Sequence, residues 1–360
     1  MAYYIEDRLT SPALGSRRPT INEYFLSSYT LSIYDGCEFG CRYCDGWASR
    51  MRPFNETVRI ATNLPELVET ELADIAPGEL IGITALTDPY QLAESSHRLT
   101  RQVLQRLAER GQPCLILTKS PSVLEDLVLL KRIHEQSLAV VVFTLLTTDP
   151  YLAEKIEDKA PAPALRLDAI AQLKREGIPV GVALVPVTPY VNDTDFILGV
   201  TLRAVADAGA DFVVWDYLHI PGERHRARIN EMLARIGSYP PSYYRDLYGP
   251  STLVANPPAL PDARYRADRD REIMARCDSL NLPVRAPHEL YAGRLAPRNE
   301  AALLLKHSAF RDAVQGRAHS AARGRALADL VYHGQATDEQ LRDSPHYAML
   351  RQILAGQTGL

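Results

Sequence analysis

LSIYDGCEFGCRYCDGW, residues Leu31–Trp47, decides how the rest of the chain is read. Cys37, Cys41 and Cys44 form a Cys-x3-Cys-x2-Cys array directly after a short apolar run, Leu31–Tyr34. Gly36, Gly40 and Gly46 stand among and beside them, so the backbone can fold tightly enough to bring three thiols to one metal centre. A structural zinc or an electron-transfer cluster normally closes its coordination with four protein ligands, whereas a catalytic site leaves one position free. Three closely spaced cysteines with no nearby fourth therefore point to a [4Fe-4S] cluster with one open iron. A Cys3His zinc site is the competing reading. Zinc modules usually present paired ligands, however, and the next histidine, His97, lies beyond a predicted helix.

Working outward, the 360 residues suffice for a large barrel-type domain plus an appendage. Hydrophobic residues make up 46% and charged residues 23%, the proportions of an ordinary soluble globular protein. A net charge of -4 argues against a surface devoted to coating nucleic acid, while leaving room for a local basic patch. Five cysteines, three of them clustered, do not make a secreted disulfide framework, so a reducing cytoplasm is the expected compartment. The N-terminus has no apolar signal core, and no run reaches membrane-spanning length, so no membrane partner is expected.

Strands and helices alternate after the cysteine loop. Helical spacing predicts a helix over Asn63–Ile75, and Leu80–Leu86 reads as a buried strand. A helix over Ser96–Arg110 leads to a strand, Cys114–Thr118, and then to a helix opened by Ser120-Pro121. Strand Leu138–Leu146, helix Pro163–Glu176, strand Ile178–Val185, helix Thr194–Ala208 and strand Asp211–Tyr217 complete the series. Strands apolar throughout, separated by amphipathic helices, predict a parallel sheet covered by helices. With Leu31–Tyr34 as the first strand there are six, which predicts an α/β fold, a partial (β/α)6 TIM-type barrel with a helix-rich C-terminal region. The expected divisions are a lead-in over 1–28, the barrel core over 29–221 and the helix-rich region over 222–360. A doubly wound sheet is the alternative, but no GxGxxG follows the first strand.

In a barrel the chemistry sits on the loops at the C-terminal ends of the strands, where the cysteine loop already lies. The same rule selects Thr87, Asp88, Gln91 and Glu94 after the second strand and Lys119 after the third. It also selects Thr144 on the fourth and Pro186–Asn192 after the fifth. Glu157, Lys159 and Arg166 read as a structural ion-pair group around the fourth helix.

CxxxCxxC with Tyr43 before the last cysteine resembles radical S-adenosylmethionine enzymes. The stretches TDPYQLAE, LTKSPSVLEDL, IEDKAPAPALRLDAI and GIPVGVALVPVTPYVND are similar to those of the spore photoproduct lyase-like branch, over roughly residues 29–220. The resemblance implies a [4Fe-4S] cluster whose open iron chelates S-adenosylmethionine, and reductive cleavage to a 5′-deoxyadenosyl radical. It also implies an external electron donor of flavodoxin or ferredoxin type. Carried over by position, Thr87 and Lys119 would hold the methionyl moiety and Thr144 would hydrogen-bond the cofactor. Tyr43 and Asp88 would lie against it, and Tyr43 is a candidate for a catalytic part.

The likeness has limits. Where those lyases carry a hydrogen-donating cysteine this chain has Ala85, followed by Leu86, and Asp45 stands in place of a second tyrosine. Cys114, at the start of a strand, reads as a buried apolar residue; Cys277 lies in a predicted helix, Arg269–Leu280. The tyrosines of SYPPSYYRDLYG and the basic residues of 285–325 are candidates for a base-stacking or phosphate-binding surface, with nucleic acid a possible substrate. The expected function is thus a radical S-adenosylmethionine enzyme acting on an unidentified substrate, a nucleic-acid lesion or modified base being first in line. The alternative is an iron-sulfur redox sensor that binds nucleic acid and cleaves no cofactor.

Overall fold

The computed structural model describes residues 2–50, 53–83, 86–237, 241–249 and 260–356. Its centre is a six-stranded, wholly parallel sheet in the order β2 (Tyr29–Leu31), β5 (Ile81–Ile83), β6 (Cys114–Thr118), β7 (Ala139–Thr144), β8 (Val180–Val187) and β9 (Phe212–Tyr217). Consecutive strands pair in sequence order because each crossover returns over one face through a helix. A parallel bridge between Val213 and Val284 extends the sheet by one short segment beyond β9. The α/β partial barrel expected from the alternation is the fold that forms.

The expected first strand, Leu31–Tyr34, is two pieces. Tyr29–Leu31 joins the barrel, while β3 (Tyr34–Asp35) turns away and pairs antiparallel with β4 (Thr57–Ala61). The exposed strand β1 (Tyr3–Asp7) adds in parallel on the other edge of β4, so part of the 1–28 lead-in is structured. The expected helix over Ser96–Arg110 also divides, into Glu94–His97 and Leu99–Arg110. Arg98 between them takes a left-handed φ of +49°, and the Glu94 carboxylate receives the backbone N–H groups of Thr100 (3.0 Å) and Arg101 (3.2 Å). A side chain thus satisfies the orphan donors of the second helix. Ser120-Pro121 opens a 3-10 turn, Pro121–Asp126, before the helix Leu127–Gln136.

Side-chain alternation along the strands divides the core. Ile116, Val141, Phe143, Val182 and Val213 face outward into one cluster with the crossover helices, which also buries Cys277. Leu115, Val140, Val142, Ala183 and Val214 face inward, onto Leu303, Leu305, Ala328 and Val331 of the helices Pro297–Val314 and Ala318–His333. These two helices of the 222–360 region therefore fill the concave face of the open barrel. The region's earlier helices, Glu223–Ile236 and Pro241–Tyr248, pack against the cysteine loop, where Ile229, Met232, Tyr244 and Tyr248 cluster with Cys37 and Cys41.

Candidate metal and cofactor site

The three cysteines open onto one cavity of about 400 Å³, on the side where the strands end. Gly36 makes their loop possible: its φ is +118°, and a Cβ there would lie 2.2 Å from the Thr57 carbonyl oxygen. The Cys37 N–H donates to the Phe54 carbonyl (3.0 Å), and the Asn55 side chain donates to the Cys37 carbonyl (2.9 Å). Gln91 ties this loop to the one after β5, donating to the Gly36 carbonyl (3.0 Å) and accepting from the Glu38 N–H (3.0 Å). The Cys44 sulfur accepts the Trp47 N–H at the start of the short helix Asp45–Ser49.

Tyr43, Thr87, Asp88, Lys119 and Thr144, singled out from strand-end position and resemblance, all line this cavity with Cys37, Cys41 and Cys44. Their surroundings differ. Asp88 spends both oxygens on protein donors: Oδ1 on the Thr118 hydroxyl (2.7 Å) and the Tyr90 N–H (2.9 Å), Oδ2 on the Lys119 N–H (2.7 Å). It laces the loops after β5 and β6 together. The Thr87 hydroxyl donates to the Tyr34 carbonyl (3.2 Å). The Lys119 ammonium lies 5.8 Å from the centre of the Tyr43 ring. Burial works to lower its pKa, but Cys41 and Glu157 outweigh that and raise it, so Lys119 enters the cavity charged.

Glu157 and Arg166 form an ion pair at 2.5 Å, with side chains 2% and 1% exposed. The other Glu157 oxygen accepts the Tyr43 hydroxyl, and Arg166 donates to the Thr144 carbonyl (2.9 Å). The pair read as structural thus holds two of the cavity's own residues. Lys159, grouped with it from the sequence, instead enters through its backbone N–H, which donates to the Phe39 carbonyl (3.0 Å). Burial tends to raise the Glu157 pKa, yet Arg166 and Lys119 hold the carboxyl below its usual range. Burial pushes all three cysteine thiols up, Cys41 to about 12 despite Lys119.

Other expectations shift. Glu94 caps a helix and accepts the Tyr34 hydroxyl (2.5 Å) outside the cavity. Of Pro186–Asn192, Pro186 reaches the cavity, while Asn192 braces its own loop through the Thr188 N–H (2.6 Å) and the Pro186 carbonyl (3.1 Å). Cys114 and Cys277 are buried in the outer core, away from the cavity, both pushed up to about 12 by burial. Tyr244 and Tyr248 stack on each other and donate to the Pro189 and Leu218 carbonyls, so their rings and hydroxyls are engaged within the protein. Tyr239 and Ala85 lie outside the described residues. In the basic segment, Arg285 and Lys306 turn inward, Arg294 caps the His134 and Ser137 carbonyls, and Arg317 and Arg323 pair with Asp312 and Asp343. Asp45, Asp216, Tyr217 and His219 also line the cavity. Applying the strand-end rule to the last strand as well would have found the final three.

A family model for the radical SAM superfamily matches residues 31–198. An uncharacterised protein of Mycobacterium tuberculosis (strain ATCC 25618 / H37Rv) is 32% identical over 228 residues, covering 61% of this chain and 67% of that one. The chain belongs to the radical SAM superfamily. A second relative, the radical SAM Nalpha-GlyT isomerase of Pseudomonas phage M6, is 25% identical over 252 residues, 68% of this chain and 51% of its own length. Spore photoproduct lyase with bound AdoMet and dinucleoside spore photoproduct superposes with a TM-score of 0.57 at 12% identity, over 78% of this chain and 81% of that one. A cysteine-to-serine mutant of that lyase gives 0.60 at 11% identity over the same shares. At such identity the likeness speaks for the fold.

Radical SAM membership implies a [4Fe-4S] cluster and S-adenosylmethionine, and the donor set fits them. Thiols raised by burial become thiolates only beside a positive centre, and cluster iron is one. Among the described residues, no three His, Cys, Asp or Glu side chains are spaced as ligands of a single ion. A cubane differs in asking each cysteine to bind a different iron. Also among the described residues, no helix is long and apolar enough to cross a membrane.

Proposed function

We propose that this radical SAM enzyme binds a [4Fe-4S] cluster through Cys37, Cys41 and Cys44, cleaves S-adenosylmethionine reductively, and turns the radical on a modified nucleobase or nucleic-acid lesion. The observation that carries the reading is the single cavity onto which the three cysteines, Lys119, Tyr43, Thr87 and Thr144 all open. When bound, cluster and cofactor supply a 5′-deoxyadenosyl radical able to abstract a hydrogen atom.

The chain's own residues bind, orient and exclude water. Lys119 offers a charged donor to the cofactor's carboxylate. Thr87 and Thr144 line the same cavity, and the Glu157–Arg166 pair fixes both Tyr43 and the backbone of Thr144. Leu218, Tyr244 and Tyr248 keep water from the cysteine loop. Asp45 and Asp216 bring carboxylate acceptors to the cavity, which suit the amino and imino hydrogens of a base better than phosphate. The nucleobase class draws support from the phage isomerase and from the fold shared with a lyase that holds a dinucleoside photoproduct.

The test is anaerobic reconstitution and reduction, followed by assay for 5′-deoxyadenosine with S-adenosylmethionine deuterated at the 5′ carbon. The reading expects 5′-deoxyadenosine, and exchange of deuterium with a modified or ultraviolet-damaged oligonucleotide. Cofactor cleavage without exchange would remove nucleic acid as the substrate. A reduced cluster that yields no 5′-deoxyadenosine under any of these conditions would favour the redox sensor.

A further inference from the structure

We propose that the groove on the outer side of the cysteine loop is the docking surface for a small acidic one-electron carrier protein. The proposal rests on the functional reading above, since cofactor cleavage consumes one electron per event. Two of the three thiols are shielded, Cys37 and Cys41 being 8% and 7% exposed, and Cys44 is half-buried, so a protein carrier has to deliver its electron through a thin part of the wall.

That thin part is the main chain at Gly40. Gly40 and Asn55 line both the inner cavity and an open outer groove of about 590 Å³, so one layer of backbone separates the two. From the groove, Arg228 Nη2 donates to the carbonyls of Gly40 (3.2 Å) and Cys41 (3.0 Å) and to Asn55 Oδ1 (2.9 Å). A hydrogen-bonded path thus runs from the floor of the groove to the backbone of a cluster ligand.

Charge selects the partner. Arg42, Lys159, Arg224 and Arg228 line the groove with Glu56, Asp158 and Glu231. Asp158 is held between Arg42 and Arg235, each at 2.7 Å, which brings a fifth cation to the rim. Five cations against three carboxylates make a positive patch on a chain whose net charge is -4. Arg224, Arg228, Glu231 and Arg235 recur at helical spacing on Glu223–Ile236, opposite the buried Ile229, Met232 and Leu233, so one helix face supplies three of the five cations. A nucleic acid suits the groove less well. Trp47 already packs against two guanidinium groups, Arg224 at 3.9 Å and Arg228 at 4.2 Å from its ring, which compete with a stacking base, and three carboxylates oppose phosphate.

The step balances simply. The reduced carrier loses one electron, which breaks one carbon–sulfur bond of S-adenosylmethionine to give methionine and the deoxyadenosyl radical, and no proton moves. The test compares the reconstituted wild type with the exposed triple variant Lys159→Glu, Arg224→Glu, Arg235→Glu. Bacterial flavodoxin serves as the acidic carrier and dithionite as a small reductant. Flavodoxin binding, followed by fluorescence anisotropy, should be salt-dependent in the wild type and about tenfold or more weaker in the triple variant. Flavodoxin-driven 5′-deoxyadenosine formation should fall by the same factor, while dithionite-driven formation stays unchanged. Equal flavodoxin binding by the two chains, no binding by the wild type, or single-stranded DNA displacing flavodoxin from the groove would overturn the docking site. Failure of the dithionite reaction in the wild type would instead strike the functional reading. If the triple variant fails to fold, the corresponding three glutamine substitutions carry the same comparison, with a smaller expected loss.

Discussion

Cys37 can reach the cavity because Gly36 precedes it with φ +118° against the Thr57 carbonyl. Gly36→Ala combines a backbone strain of about 1–3 kcal/mol with a direct clash, and relief of the clash displaces the adjoining ligand. Reconstituted Gly36→Ala should take up markedly less iron than the wild type, measured by iron content per chain. A second residue-scale effect belongs to Glu157. Removing it strands the buried Arg166 guanidinium, at a cost of about 3–5 kcal/mol, and frees the Tyr43 hydroxyl. Glu157→Ala should therefore lower the urea midpoint clearly, whereas Lys159→Ala, which keeps the backbone N–H on Phe39, should leave it nearly in place. That the cysteines, Lys119 and Thr144 share one cavity was legible in the sequence, the cysteines from their spacing and the other two from their strand-end positions. The role of Glu157 was not, because its hydroxyl partner, Tyr43, is 114 residues away.

Among the elements, the strands from Cys114 to Tyr217 were legible because they are apolar throughout and bounded by turn residues. Local pattern failed where tertiary contacts cut across it. Leu31–Tyr34 is one apolar run serving two sheets, and the helix near Arg98 breaks because the Glu94 carboxylate caps the next one. The helix Pro297–Val314 carries the clearest pH effect. His307 on it is buried, its Nε2 bonded to the Glu23 carbonyl (2.9 Å), and burial lowers its pKa from 6.5 to about 3. The folded state therefore keeps His307 neutral while the unfolded chain takes up a proton. The contribution is complete above pH 6.5 and is lost progressively as pH falls toward 3, at up to about 1.4 kcal/mol per pH unit. Urea unfolding between pH 6.5 and 4 should show stability falling with acid, and His307→Gln should flatten part of that slope.

Across the whole molecule, the C-terminal helices do two jobs that their sequence did not announce. Glu223–Ile236 and Pro241–Tyr248 roof the cysteine loop, and Pro297–Val314 with Ala318–His333 fill the concave face of an incompletely closed barrel. Pro297–Val314 buries residues around much of its circumference, so it lacks the single apolar stripe that would have declared its partner. The barrel thereby holds a cavity lined by the three cysteines, and Gly40 lines both that cavity and the outer groove.

The most direct test of a three-cysteine cluster with a free iron is electron paramagnetic resonance of the anaerobically reconstituted, reduced protein before and after S-adenosylmethionine is added. The account predicts about four irons per chain, a reduced-cluster signal that changes on cofactor addition, and loss of both in Cys41→Ala. A signal indifferent to S-adenosylmethionine, or iron retained without Cys41, would contradict it.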